Sequence, residues 1–152
     1  MTLRLVETET FKSGVFCFAI GLERGTKMTK TSHREIAKSF LKLAASGEVR
    51  EAYSRYVGPN FRHHNAFFHG DRESLMLAME ENATKNPNRK LEIKLSLEDK
   101  DLVATYSHVQ QNPGDLGSAV VHIFRFEGGR IVEMWDIGQA VPEDSPNEDG
   151  MF

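Results

Sequence analysis

The chain carries one cysteine, Cys17, in 152 residues, so no disulfide can close within it. The expectation that goes with this is a reducing, cytoplasmic setting. The imbalance between acidic and basic residues is also small: the formal net charge is -3 at pH 7. That excludes a basic footprint for nucleic acid and a polybasic patch for anionic lipid. A membrane span needs ~20 consecutive apolar residues. The apolar run Gly14-Val15-Phe16-Cys17-Phe18-Ala19-Ile20-Gly21 is much shorter than this. Glu7 and Glu9 precede it where a signal peptide wants positive charge, and Leu22-Glu23-Arg24 follows in place of a small-residue cleavage site. The segment therefore reads as neither a span nor a secretion signal. A phosphate-binding glycine loop, a dinucleotide fingerprint and a compact metal motif such as H-E-x-x-H are all missing.

What is present fits one globular domain with one core: 39% hydrophobic and 27% charged residues. Residues 1–27 read as an N-terminal extension, either an arm packing on a neighbour or a stretch upstream of a natural start at Met28. Residues 28–142 form the domain, and 143–152, rich in Pro, Asp, Glu and Asn, a flexible acidic tail.

Within the domain, helical spacing comes first. Ser32 and Glu35 make a capping box for a helix over 31–46, with Ile36, Phe40, Leu43 and Ala44 on one face. A short helix over about 48–57 ends at Gly58-Pro59, an extended piece covers 61–65, and Asp71 caps a third helix that Asn86-Pro87 closes. From residue 90 the period changes to two. Strands are predicted over 91–97, 102–109, 118–126 and 131–137, the last two as a hairpin around Gly128-Gly129. Helices first and strands after predict an α+β domain in which three helices cover a curved antiparallel sheet.

Alternate residues of a strand share a face. Ala104, Tyr106 and His108 group together, as do Val120, His122, Phe124 and Phe126, and Val132, Met134 and Asp136. Whether His122 meets Asp136 depends on the hairpin. A two-residue Gly-Gly loop pairs Glu127 with Arg130 and puts His122 on the face of Trp135. A glycine bulge at Gly129 shifts the register so that His122 lies opposite Met134 and shares a face with Asp136. Glycine at 129 suits the bulge, so the second register is preferred. The opposite face carries Val121, Ile123, Arg125, Ile131, Glu133, Trp135 and Ile137. Its apolar content predicts a cover, most simply a second copy of the chain in a homodimer.

The stretch from Ala119 to Asp136, AVVHIFRFEGGRIVEMWD, resembles the C-terminal signature of SnoaL-like proteins of the nuclear transport factor 2-like superfamily. His64-Asn65 followed by Gly70, and Gln139 and Pro142 after Asp136, resemble further parts of that pattern. The resemblance implies a cone-shaped α+β fold with a pocket closed by helices, and frequent dimers. In polyketide cyclases of this branch it implies an aspartate general acid/base at Asp136, assisted by a histidine at His122, for an intramolecular aldol closure. Two positions depart from the pattern: Met134 stands where relatives often have histidine, and Ala66 where proline is usual.

An apolar pocket makes a carboxylate more basic. The expected chemistry is removal of a carbon-bound proton by Asp136, with His122 donating to the carbonyl oxygen. The plain alternatives are a strand-end aspartate in solvent or an ion pair, and a core histidine bonded to backbone. His64, His108, Tyr106, Phe124 and Met134 are expected to contact a small hydrophobic substrate, with His64 inward and His63 at the surface. His64, His108, His122 and Asp136 have donor types suited to zinc or iron, but without a compact motif no metal and no cofactor is expected. The functional expectation is a cofactor-independent cyclase or isomerase; the alternative is a ligand-binding or scaffold domain of the same fold.

Overall fold

The computed structural model describes residues 31–152; the expectations for the apolar segment 14–21 and for a start at Met28 fall outside them. Helix α1 spans His33–Ala45, and the Ser32 side chain accepts from the Glu35 backbone N–H, satisfying one of the orphan donors at a helix start. Helix α2 spans Val49–Tyr56. Strand β1 follows directly over Val57–His63. Helix α3 covers Arg72–Lys85, capped by the Asp71 carboxylate on the N–H groups of Glu73 and Ser74. Strands β2 (Lys90–Asp99), β3 (Leu102–Gln110), β4 (Ser118–Glu127) and β5 (Arg130–Ala140) complete the domain. Among the described residues no helix is long and apolar enough to cross a membrane.

The sheet order is β1-β5-β4-β3-β2. Strands β2 to β5 are antiparallel as expected, but β1 pairs parallel to β5, so the sheet is mixed rather than purely antiparallel. The extended piece expected over 61–65 overlaps β1, but the strand starts earlier, at Val57, and Gly58-Pro59 lies within it instead of before it. Three helices and this five-stranded sheet enclose one core. Phe40, Tyr53, Phe61, Phe124, Phe126, Ile131 and Met134 are all nearly or fully buried. The Phe40 ring lies 5.6 Å from Tyr53 and 5.9 Å from Phe124, and such offset and edge-on contacts add to the burial itself.

The hairpin corrects the preferred register. Gly128 and Gly129 both have positive φ, 57° and 78°, the requirement of a two-residue type I′ turn. Glu127 pairs with Arg130 and Phe126 with Ile131, and the register then shifts so that Arg125 pairs with Glu133. The extra residue is Val132 in the strand, not Gly129 in the turn. A bulge at Val132 sends Ile131 into the core, where it is fully buried, instead of onto the outer face. It also brings His122 directly opposite Asp136. The shared face was expected; the bulge that produces it sits three residues later.

The outer face carries a charged knot and an apolar field. Glu133, 6% exposed, accepts from Arg62 Nε at 2.8 Å, His64 Nε2 at 2.9 Å and Arg125 Nε at 2.8 Å. These donors, His64 first, hold its carboxyl down at about 2. Leu95, Leu97 and Ile137 lie exposed nearby on the same face. The acidic tail was expected to be loosely held, yet its last two residues are seated here: the Tyr106 hydroxyl donates to the Met151 carbonyl, and the Phe152 ring lies 4.4 Å from His108.

Candidate functional site

A cavity of about 380 Å³ lies between α1, α3 and the inner sheet face. Leu41 and Ala44 from α1, Leu75 and Met79 from α3, and Val120 and Met134 from the sheet form apolar walls. His122, Asp136 and Asn65 supply polar groups, as do Asn82, Arg89 and Gln111.

Sheet register builds this site. One cross-strand row runs Thr105, His122, Asp136 on β3, β4 and β5. The next runs Val103, Phe124, Met134, His63 and ends on β1. The first row is polar, and its His122 and Asp136 line the cavity; the second is apolar core up to its buried His63, with Met134 also reaching the cavity wall. Asn65, just past β1, reaches across: its Nδ2 donates to Asp136 Oδ2 at 2.8 Å. Its own backbone N–H donates to His63 Nδ1 at 3.2 Å. His63 Nε2, carrying the proton, donates to the His69 carbonyl at 2.6 Å. His63 is thus a structural histidine that ties down the 64–70 loop and aims Asn65 at Asp136.

The His122 imidazole is 12% exposed. Burial pushes its pKa below the usual value, and Asp136 offsets this only in part, so the ring is neutral at neutral pH. Its Nε2 lies 3.9 Å from Asp136 Oδ1, too far for a hydrogen bond. Asp136 Oδ1 has no hydrogen-bond donor among the described residues, whereas Oδ2 is fixed by Asn65. A carboxylate oxygen and an imidazole nitrogen thus stand side by side, each with capacity for a ligand atom, at an apolar cavity.

Of the residues expected at the site, the structure brings together His122, Asp136 and Met134. Tyr106 and His108 are not there. They pair with Val121 and Ala119 and belong to the outer face, because the inner residues of β3 are Val103, Thr105 and Ser107. The two histidines before Asn65 exchange places: His63 is buried, while His64 is half exposed, bonded to Glu133 and stacked 4.8 Å from Trp135. The parallel pairing of His63 with Met134 decides this, and nothing in a two-residue pair reveals it. Phe124 is wholly buried behind His122, 6.0 Å ring to ring, so it supports the site without lining the cavity. Val132, grouped by parity with Met134 and Asp136, lies instead at the bulge beside Arg62 and Arg125. Asn65 is the functional residue that sequence reasoning passed over; its place beside His64 in the family-like segment was the available signal. Among the described residues no three His, Cys, Asp or Glu converge as a metal site, since His64 and His108 stand on the far side of the sheet from His122.

No protein-family model and no curated protein matches the chain. Solved structures do. Wild-type IdmH from Streptomyces antibioticus, a provisionally assigned polyketide cyclase, is 19% identical with a TM-score of 0.61, the match covering 71% of this chain and 92% of that one. A provisionally assigned polyketide cyclase from Bacillus cereus ATCC 10987 is 22% identical, TM-score 0.61, covering 70% and 74%. A nuclear transport factor 2-like protein of unknown function from Cytophaga hutchinsonii ATCC 33406 is 19% identical, TM-score 0.57, covering 74% and 94%. At these identities the likeness speaks for the fold. With its helices over a curved five-stranded sheet, the chain has the nuclear transport factor 2-like α+β cone that the SnoaL-like resemblance implied.

Proposed function

We propose that the chain is a cofactor-independent cyclase or isomerase acting on a small, largely apolar carbonyl compound. The observation that carries this reading is the Asp136 carboxylate, anchored by Asn65, beside a neutral buried His122 at a cavity with mostly apolar walls. Asp136 takes a proton from the carbon next to a carbonyl, and the C–H electron pair becomes an enolate. His122 donates a hydrogen bond from Nε2 to the enolate oxygen. In a cyclisation the enolate carbon bonds to a second carbonyl carbon, whose oxygen takes up the proton held by Asp136, and the carboxylate is restored. An isomerase returns the proton to a different carbon. The likeness to two provisionally assigned polyketide cyclases supports the same choice.

The test is exchange of α-hydrogens of a diketone in heavy water, followed by NMR. Wild type exchanges them, and Asp136→Asn lowers the rate by about 10² or more while its circular dichroism is unchanged. Equal rates for the two proteins remove Asp136 as the base. One observation favours the alternative, a binding domain without turnover: Asp136 Oδ2 is already taken up by the Asn65 side chain. That reading predicts a ligand retained through purification and no exchange above buffer.

We also propose that a second copy covers the outer sheet face. The exposure of Leu95, Leu97 and Ile137, at 52%, 65% and 59%, supports it.

A further inference from the structure

Beneath the cavity, on the inner sheet face, three buried polar atoms have no hydrogen-bond partner among the described residues: Thr105 Oγ1, Ser107 Oγ and His122 Nδ1. Thr105 is 1% exposed and Ser107 fully buried. They are neighbours by register. Thr105 pairs directly with His122, and Ser107 pairs with Val120, one inner-face step along the same strand. Facing residues of an antiparallel pair hold their Cβ atoms about 4.5–5.5 Å apart, and diagonal ones about 7–8 Å. Both hydroxyls are thus within one bridging molecule of the imidazole.

A buried hydroxyl or imidazole nitrogen left unpaired costs about 1–3 kcal/mol. Three together on one small patch make that cost hard to sustain, and they also supply the two to four polar partners that hold a buried water. We propose that Thr105 and Ser107, through one buried water shared with His122 Nδ1, act as positioning residues that hold the imidazole with its proton on Nε2. The bonding closes consistently. Each hydroxyl donates to the water oxygen, and the water donates one hydrogen to the Nδ1 lone pair. Nδ1 then carries no proton, and the single proton of the neutral ring resides on Nε2. That nitrogen is the one 3.9 Å from Asp136 Oδ1, where an N–H beside a carboxylate oxygen is electrostatically favoured. The opposite tautomer would set a lone pair against the carboxylate.

This inference rests on the proposed role of His122 as a donor to the enolate oxygen, and it supplies the reason that the donor is always armed. Each hydroxyl donates or accepts by rotating, and the Asp136 charge on the far side reinforces the direction in which both donate to the water.

The test needs no substrate, so it separates this inference from the proposed activity. In the two-bond nitrogen–proton NMR spectrum of labelled protein near pH 7, assigned by its loss in His122→Gln, His122 should show a protonated Nε2 and an unprotonated, hydrogen-bonded Nδ1. Thr105→Val combined with Ser107→Ala should turn this into a mixture of tautomers. Thr105→Ser, which keeps a hydroxyl, should retain the wild-type pattern. A wild-type ring protonated on Nδ1 overturns the proposal, and this reading stands even should the double variant not fold. So does a folded double variant with an unchanged tautomer. A crystal structure should place a water within hydrogen-bond distance of Nδ1 and at least one of the two hydroxyls; an empty, well-defined site refutes the bridge. If the tautomer is as stated while α-hydrogen exchange is undetectable, the inference holds and the proposed activity falls.

Discussion

Glu133 links the stability of the fold to the geometry of the site. Its carboxylate ties Arg62 of β1 to Arg125 of β4 and to His64, and β1 delivers Asn65 to Asp136. Its folded-state pKa lies at about 2, against an ordinary 4.5. This displacement corresponds to about 3 kcal/mol. Two donors are well exposed, Arg62 at 64% and His64 at 44%, and solvent screens such pairs. Halving gives about 1.5 kcal/mol. Because the folded pKa is depressed, this stabilisation is fully present above pH 4.5 and is lost as pH falls towards 2. Glu133→Gln removes it: one amide oxygen cannot serve three donors, and the amide NH2 is left facing Arg125 or facing Arg62 and His64. Urea unfolding of both proteins should be measured from pH 7 to about pH 3, taking the difference in unfolding free energy at each pH. Other carboxylates cancel in that difference. It should start near 1.5 kcal/mol or somewhat above, and shrink steadily below about pH 4.5. A difference that stays flat across the range, or grows in acid, refutes the assignment of Glu133 as the charged knot.

Asn65→Ala should leave the cavity intact but free Asp136 from its anchor. Loss of one hydrogen bond to a charged group, about 1.5–3 kcal/mol, predicts roughly a 10- to 100-fold fall in the exchange rate; an unchanged rate means that Asn65 does not orient the carboxylate. His108→Ala alters a residue on the far side of the sheet, so exchange should stay within about twofold of wild type, and a large loss would return His108 to the pocket. Leu97→Glu with Ile137→Glu puts charge onto the apolar outer face, and light scattering should show a monomer where wild type is a dimer; a monomeric wild type removes the proposed interface. His122 is neutral in the fold but gains a proton in the unfolded chain as pH falls below its ordinary value of 6.5. His122→Phe should therefore lose less stability than wild type between pH 7 and 5, read by the same urea series.

The SnoaL-like resemblance, read from Ala119 to Asp136, indicated the fold that the solved structures bear out. Element types were legible because the signals are local. The Ser32 and Asp71 caps, the change of period at residue 90 and the Gly128-Gly129 turn each act within a few residues. Local signals do not carry a strand's partner. Strand β1 pairs with β5 across some 70 residues, and this alone decides that His63 turns inward and His64 outward. The side chains of β3 alternate strictly, so the sequence grouped Tyr106 with His108 correctly, yet both faces of the strand mix polar and apolar residues. Which group met the helices was decided by the packing of α1 against β3, on the side where Val103, Thr105 and Ser107 are buried.

By itself, then, the sequence determined the elements, their order and the identity of Asp136 and His122 as candidates. Only the tertiary structure decided that they sit in one row. That depends on the bulge at Val132, where the twist of the hairpin and the burial of Ile131 compete with regular pairing. A one-residue slip turns every side chain of a strand to the other face, and the energy that forbids the slip comes from the packed core, not from the residues that form the turn.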